Sequence, residues 1–334
     1  MLYSIKIIPR SKPTNILKTL ILALSVFSSI LISTCSLAQP TPQPPKLVAS
    51  VYPVKMIVSA ISDGISEPTV LVPPGSTPHE YSLKPSNVRD ISQADALFWV
   101  GPSLETFLAR TLKKFSGNPK PEVVALIDAP GVKLISLEHH HDHGHSDEHE
   151  SDPSSEQQDP HIWLNPYNAF AMAQQIERVL SGLDPTNREH YQQNLTKFTQ
   201  RITQMDQQLK ADLTPLKNKG YFVFHDAYSY FEQLYGLNRL GEFSVNESKP
   251  GVKKMLEIQS ILQQGDAVCI FSEPQFNPSL IESVTRGTDV RRAALDPLGE
   301  SYQYSSHLSE NYFEFMQQFS QQFIQCMTEK DNGS

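Results

Sequence analysis

The sequence predicts an α/β protein of two lobes, each built on a parallel-type sheet flanked by helices, with one long linker helix joining them. Short apolar segments alternate with helical segments within residues 47–126 and again within residues 221–327. Such alternation is typical of parallel sheets with helices on both faces. Between these regions, one apolar stripe spaced alternately by four and three residues marks a helix of about seven turns. Its members are Tyr191, Leu195, Phe198, Ile202, Met205 and Leu209.

The first lobe is assigned to residues 46–182. Its predicted strands are 47–52, 69–72, 96–100 and 122–126, and its first predicted helices are 56–61, 86–94 and 104–115. Asn165-Pro166 provides an N-cap and a first-turn proline, which predicts a further helix to about residue 180. Asp184-Pro185 repeats this capping device, so the linker helix is assigned to residues 183–213.

The second lobe is assigned to residues 214–334, where the alternation restarts. The predicted strands are 221–224, 237–240, 267–271 and 289–295. The predicted helices are 227–235, a segment from Pro250 to residue 264, 278–286 and 308–327. A chain of this length is sufficient for two lobes with their own cores.

The N-terminus carries an export signal. Four basic residues precede an apolar run at 20–32, and no acidic residue occurs before Asp63. The run is shorter than the ~20 apolar residues of a spanning helix, so it predicts a secretory signal peptide and a periplasmic protein. We favour cleavage after Ala38, giving a signal peptide of residues 1–38 and a proline-rich leader of residues 39–45. Alternatively, the lipobox-like residues 32–35 would place a lipid anchor on Cys35.

Charge and cysteines agree with export. Residues 1–38 hold four of the 28 basic residues and none of the 36 acidic ones, so the remaining chain carries a formal charge of −12. This charge argues against nucleic acid or an anionic membrane as partner and favours attraction of cations. Beyond Cys35 an even pair remains, Cys269 and Cys326. In an oxidising compartment the pair either forms a disulfide or persists as two buried thiols.

One segment, residues 138–159, has a composition typical of a solvated metal-binding loop. It contains eight acidic residues, no Lys or Arg, and six histidines. Imidazoles and carboxylates at this density are ligands for divalent metals, above all zinc. A flexible loop predicts weak auxiliary metal sites, at His139, His140, His141, His143, His145 and His149.

A tight metal site is predicted from four residues at the edges of regular elements. His79 follows the second strand, His161 precedes a helix cap, His225 follows a strand of the second lobe, and Asp296 follows the last strand. Ligands of open α/β sheets bind at the carboxyl ends of strands, and three imidazoles with one carboxylate suit tetrahedral zinc. Glu80 or water could instead supply the fourth ligand. Glu273 could orient a ligand histidine from behind or pair with a base.

Six motifs make the chain similar to the periplasmic zinc-binding receptors of ABC importers: Thr77–Ser86, Leu97–Gly101, Asp159–Pro166, Phe224–Tyr228, Phe271–Phe276 and Leu295–Gly299. The resemblance covers residues 46–327. It implies a metal-receptor solute-binding fold that binds Zn²⁺ in a cleft between the lobes and delivers it to a membrane permease as a monomer. It also implies His79, His161, His225 and Asp296 as ligands, and a Cys269–Cys326 disulfide.

Other functions are weighed against this interpretation. The manganese-binding relatives carry Glu where His225 stands, and an imidazole there shifts preference from manganese or iron toward zinc. A zinc hydrolase would need a general base beside a metal-bound water, and no HExxH pattern occurs. A lipid-anchored adhesin depends only on Cys35. The chain is therefore expected to be a receptor rather than an enzyme.

Overall fold

The computed structural model describes residue 4 and residues 43–115, 117, 119–136, 158–244 and 250–328. The predicted signal peptide, Cys35 and the six loop histidines lie outside these residues. Within the described part, no helix combines the length and apolar character needed to cross a membrane. From Pro44 onward the described residues belong to one compact unit.

The first lobe contains a parallel four-stranded sheet in the order β2-β1-β3-β4. Its strands are β1 (Leu47–Ala49), β2 (Thr69–Val70), β3 (Ala96–Trp99) and β4 (Glu122–Ala125). Its helices are α1 (Tyr52–Ser62), α2 (Pro85–Gln93) and α3 (Thr106–Leu112). The first strand is shorter than predicted because Pro53 occupies the first turn of α1. A proline there has its φ preset for a helix and has no N–H to donate to a strand.

The second lobe repeats this arrangement with the strand order β6-β5-β7-β8, again fully parallel. Its strands are β5 (Gly220–His225), β6 (Asn238–Ser244), β7 (Ala267–Ser272) and β8 (Arg291–Ala294). The predicted disulfide is confirmed: Cys269 of β7 is bonded to Cys326, with 5.9 Å between the Cα atoms. This bond attaches the last helix to the sheet.

Two helices lie between the strands of the two sheets along the chain, α4 (Pro166–Leu183) and the linker helix α5 (Arg188–Leu213). The helices of the second half are α6 (Ser229–Tyr235), α7 (Val252–Gln264), α8 (Ser279–Val284) and α9 (Asn311–Thr328). As predicted, the Asn165 side chain caps α4, accepting a 2.9 Å hydrogen bond from the Tyr167 N–H. The predicted cap at Asp184 is wrong. Its carboxylate instead accepts from the Asn187 side chain at 2.7 Å and the Tyr191 hydroxyl at 3.1 Å. A 3₁₀ turn over Pro185–Asn187 intervenes, so α5 begins at Arg188.

The linker helix α5 has 26 residues, and its apolar stripe faces the core as predicted. It contacts α1 and α4 of the first half and α6 and α9 of the second. The largest buried cluster is continuous across both lobes. The two-lobe α/β prediction is confirmed, while the lobe boundaries at residues 182 and 214 stay predictions. Residues that end or follow strands of both sheets line one cavity: His79 follows β2, His225 ends β5 and Glu273 follows β7.

Candidate metal centre

Three histidines reach this cavity from three separate segments of the chain. His225 is the last residue of β5, a central strand of its sheet. His79 lies in the loop between β2 and α2, where its N–H donates to Thr77 Oγ1 at 3.2 Å. His161 precedes a 3₁₀ turn, Ile162–Leu164, that leads into α4. His161 and His225 are each 4% exposed, so their rings are held inside the protein.

The three imidazoles form one compact cluster. Each ring offers a nitrogen, and these ligand atoms all lie within 4.8 Å of one another. The Nε2 atoms of His161 and His225 are 3.4 Å apart. The cluster lines a cavity of about 10 Å³, roughly the space that a single water-sized particle requires. Within the described residues, this is the group of His, Cys, Asp or Glu side chains whose geometry could hold a metal ion.

Two buried carboxylates support the rings from behind. Asp159 Oδ1 lies 2.7 Å from His161 Nδ1 and also accepts the His161 backbone N–H at 2.9 Å. Glu273 Oε1 lies 2.6 Å from His225 Nδ1. With both carboxylates ionised, which a dication in the cavity would favour, their oxygens accept and each Nδ1 carries the hydrogen. The Nε2 lone pairs are then left for the cavity. Histidine ligands of metals are commonly oriented in this way.

Burial favours the neutral form of the His79 and His161 imidazoles. Desolvation, together with the nearby His161 and His225 rings, lowers the pKa of His79 to about 3. The same causes, burial first and then His225, lower the pKa of His161 well below its usual value. Burial also raises the pKa of Asp159 to about 8. A dication in the cavity would favour the ionised carboxylate and further exclude imidazolium, because its charge dominates the local field.

The remaining predicted residues are placed differently. Asp296 is 1% exposed but lies outside the histidine cluster. Its oxygens already accept hydrogen bonds from Leu298 N at 3.0 Å, Gln275 Nε2 at 3.3 Å and Ser301 N at 2.8 Å. Glu80 is exposed and also lies outside the cluster. This geometry therefore does not support either carboxylate as the fourth ligand. The contact between Glu273 and the His225 ring agrees with the prediction that Glu273 could orient a ligand histidine.

Sequence reasoning missed two residues at this site. The motif Asp159–Pro166 does not by itself single out Asp159, although its position two residues before His161 allows one carboxylate to bond both the backbone N–H and the ring of His161. Gln275 lines the cavity beside the three histidines. It lies two residues after Glu273, and nothing in a lone glutamine signals a metal site.

Comparisons with known proteins are consistent with this centre. The model of the ZnuA family, described as zinc-uptake complex component A, periplasmic, matches residues 47–326. The Yersinia pestis protein named high-affinity zinc uptake system protein ZnuA is 37% identical over 295 residues, covering 84% of this chain and 91% of its own. The protein of the same name from Haemophilus influenzae is 30% identical over 336 residues, with coverages of 89% and 97%.

Solved structures agree in fold. A crystal structure of ZnuA has a TM-score of 0.68 at 24% identity, covering 84% of this chain and 99% of its own. The periplasmic zinc-binding protein TroA from Treponema pallidum has a TM-score of 0.72 at 20% identity, with coverages of 86% and 100%. At these identities the likeness concerns the fold alone.

Proposed function

Because the chain belongs to the ZnuA family, we propose that it is an extracytoplasmic receptor that captures Zn²⁺ between its two lobes and delivers it to the permease of an ABC importer. The observation that carries this proposal is the cluster of His79, His161 and His225, whose ligand nitrogens lie within 4.8 Å of one another. Zinc is the transported ion here and takes part in no reaction. The match of residues 47–326 to the family model supports the same function.

The donor set favours zinc over the harder divalent ions. Imidazole nitrogen suits zinc, whereas manganese and magnesium prefer carboxylate, carbonyl and water oxygens. No carboxylate of the described residues joins the three ring nitrogens in the cluster. A manganese or iron receptor of the same family is therefore the weaker alternative.

A zinc-dependent hydrolase is less well supported. Such an enzyme needs a general base within reach of a metal-bound water. Among the described residues that line the cavity, the one carboxylate is Glu273, and its Oε1 is engaged by His225 Nδ1 at 2.6 Å. Asp159 is likewise engaged by His161. These contacts suit carboxylates that hold ligand rings, which supports binding without turnover.

Several finer features belong to the same proposal. A signal peptide over residues 1–38 fits delivery to the periplasm, with a lipid anchor at Cys35 as the alternative. The histidines between residues 139 and 149 would bind additional zinc weakly, as an antenna, buffer or sensor. The receptor is proposed to act as a monomer.

The test is to replace one ligand and measure the tight site. In His161→Ala, one of the three imidazoles is lost, and we expect calorimetry to show zinc affinity weakened by orders of magnitude. His307→Ala is the matched control, because His307 is an exposed histidine outside the cluster. Wild-type affinity in His161→Ala would overturn the assignment, as would an equal loss in the control.

A further inference from the structure

We propose that Gln275, rather than Asp296, governs the fourth coordination position of the bound metal. This inference rests on the proposed function, because it presumes an ion held by the three histidines. It concerns how that ion's coordination is completed and which metals the site rejects.

Asp296 is committed to its own turn. One of its carboxylate oxygens accepts from Leu298 N and Gln275 Nε2, and the other accepts from Ser301 N at 2.8 Å. Turning this carboxylate toward an ion would take the acceptor from the backbone N–H of Leu298, which is buried. A buried N–H that loses its acceptor is unfavourable, so the turn holds Asp296 away from the metal.

The same contacts fix the orientation of the Gln275 amide. Asp296 Oδ1 accepts the Leu298 N–H at 3.0 Å, so the part of Gln275 that lies 3.3 Å from it must be the donating NH₂ group. The amide oxygen, Oε1, is then the atom on the opposite side of the amide group from Asp296. That oxygen is buried and has no hydrogen-bond partner among the described residues. Gln275 also lines the cavity that contains His79, His161 and His225.

A buried carbonyl oxygen without a hydrogen-bond partner is unfavourable, and contact with a bound cation or with a cation-bound water would satisfy it. The cavity of about 10 Å³ has little room beyond the ion itself. The fourth position is therefore taken either by Gln275 Oε1 or by a single water that this oxygen holds. In both cases an amide oxygen sets the chemistry of that position, and Asp296 acts by orienting the amide.

This arrangement has a consequence for metal selectivity. A neutral amide replaces the carboxylate that oxygen-preferring ions such as Mn²⁺ would favour. The charge of the ion is balanced instead through the rings, by Asp159 behind His161 and Glu273 behind His225. Zinc tolerates this donor set because imidazole nitrogen suits it, so the amide disfavours manganese more than zinc.

The first experiment uses Co²⁺ as a spectroscopic probe, together with zinc and manganese titrations of the full mature chain. Gln275→Ala should change the visible absorption bands of the Co²⁺-loaded protein and weaken zinc binding by roughly tenfold, the lower range for residues that act on ligands. Gln275→Glu should raise the affinity for Mn²⁺ relative to Zn²⁺ by about tenfold or more. Asn277→Ala is the control, because Asn277 is nearby and exposed. Wild-type Co²⁺ bands in Gln275→Ala, or an unchanged ratio of zinc to manganese affinity in Gln275→Glu, would overturn the proposal.

A second arm separates Gln275 from Asp296. If Asp296 acts through the amide, adding Asp296→Asn to Gln275→Ala should change the Co²⁺ bands no further than Gln275→Ala alone. In a crystal of the zinc-loaded wild type, the amide oxygen or an amide-held water at the fourth position supports the proposal, and an Asp296 oxygen on zinc overturns it. Failure of the proposed function would look different, because the wild type itself would then bind no zinc tightly.

Discussion

Replacing Glu273 with glutamine should weaken zinc binding by roughly ten- to thirtyfold while the fold is retained. Glu273 Oε1 lies 2.6 Å from His225 Nδ1, and both side chains are buried. The carboxylate holds the Nδ1 hydrogen, keeps the Nε2 lone pair available and makes the ring a stronger ligand. A glutamine oxygen can accept the same hydrogen bond, but it carries no negative charge to balance the ion.

Two independent considerations give the size of this loss. Hydrogen bonds to charged groups contribute about 1.5–3 kcal/mol, against about 0.5–1.5 kcal/mol for neutral pairs, so the exchange should cost roughly 1–2 kcal/mol. Residues that support metal-bound histidines typically alter affinity about 10–100-fold, or roughly 1.4–2.7 kcal/mol. The two ranges overlap at about 1.4–2 kcal/mol, which corresponds to a ten- to thirtyfold change in Kd.

The assay is a competition titration against a chromogenic zinc chelator at constant pH and ionic strength. Glu232→Gln is the matched control: Glu232 is also a buried glutamate of the second lobe, and it accepts the Tyr221 hydroxyl at 2.9 Å. It lies outside the histidine cluster. We expect wild-type zinc affinity in this control. Wild-type affinity in Glu273→Gln, or the same loss in both variants, would refute the reasoning.

Two further predictions concern pH and the loop. The pKa of His79 is lowered to about 3 in the folded, metal-free protein, whereas an unfolded histidine titrates near ~6.5. Below about pH 6.5 the unfolded state therefore binds the extra proton, and stability falls as the pH falls, by about 1.4 kcal/mol per pH unit. Between pH 7 and 5 the free energy of unfolding of the metal-free wild type, measured by urea titration, should fall by roughly 2 kcal/mol more than that of His79→Gln. Buried carboxylates with raised pKa values act in the opposite direction, but both proteins contain them. Equal pH slopes would contradict this. Deleting residues 139–157 should leave the fold and the tight site intact and lower the total zinc stoichiometry. Ser136 and Gln158 pair as an antiparallel bridge, and the two residues left between them after the deletion are enough to form a hairpin turn. Loss of the tight site on deletion would make loop histidines the primary ligands.

Much of the fold follows from local pattern. Strand–helix alternation and the apolar stripe of α5 depend on the two periodicities of side-chain direction, which each segment carries by itself. The predicted elements differ from the structure at their ends, where neighbouring residues favour different local conformations. Pro53 ends β1 early by starting a helix, and Pro185 starts a 3₁₀ turn that leaves Asp184 bonded to side chains.

The metal site was also predictable from the sequence only in part. The three histidines could be predicted because they lie beside regular elements whose ends meet in a parallel α/β architecture. Only the tertiary structure decided which oxygen-bearing side chains accompany them. It holds Asp296 in its own turn, places Asp159 and Glu273 behind two rings, and brings Gln275 to the cavity. The reason is that ångström-scale distances between loops depend on the packing of two lobes around one core, whereas sequence periodicity reports only the direction of each side chain within its own segment.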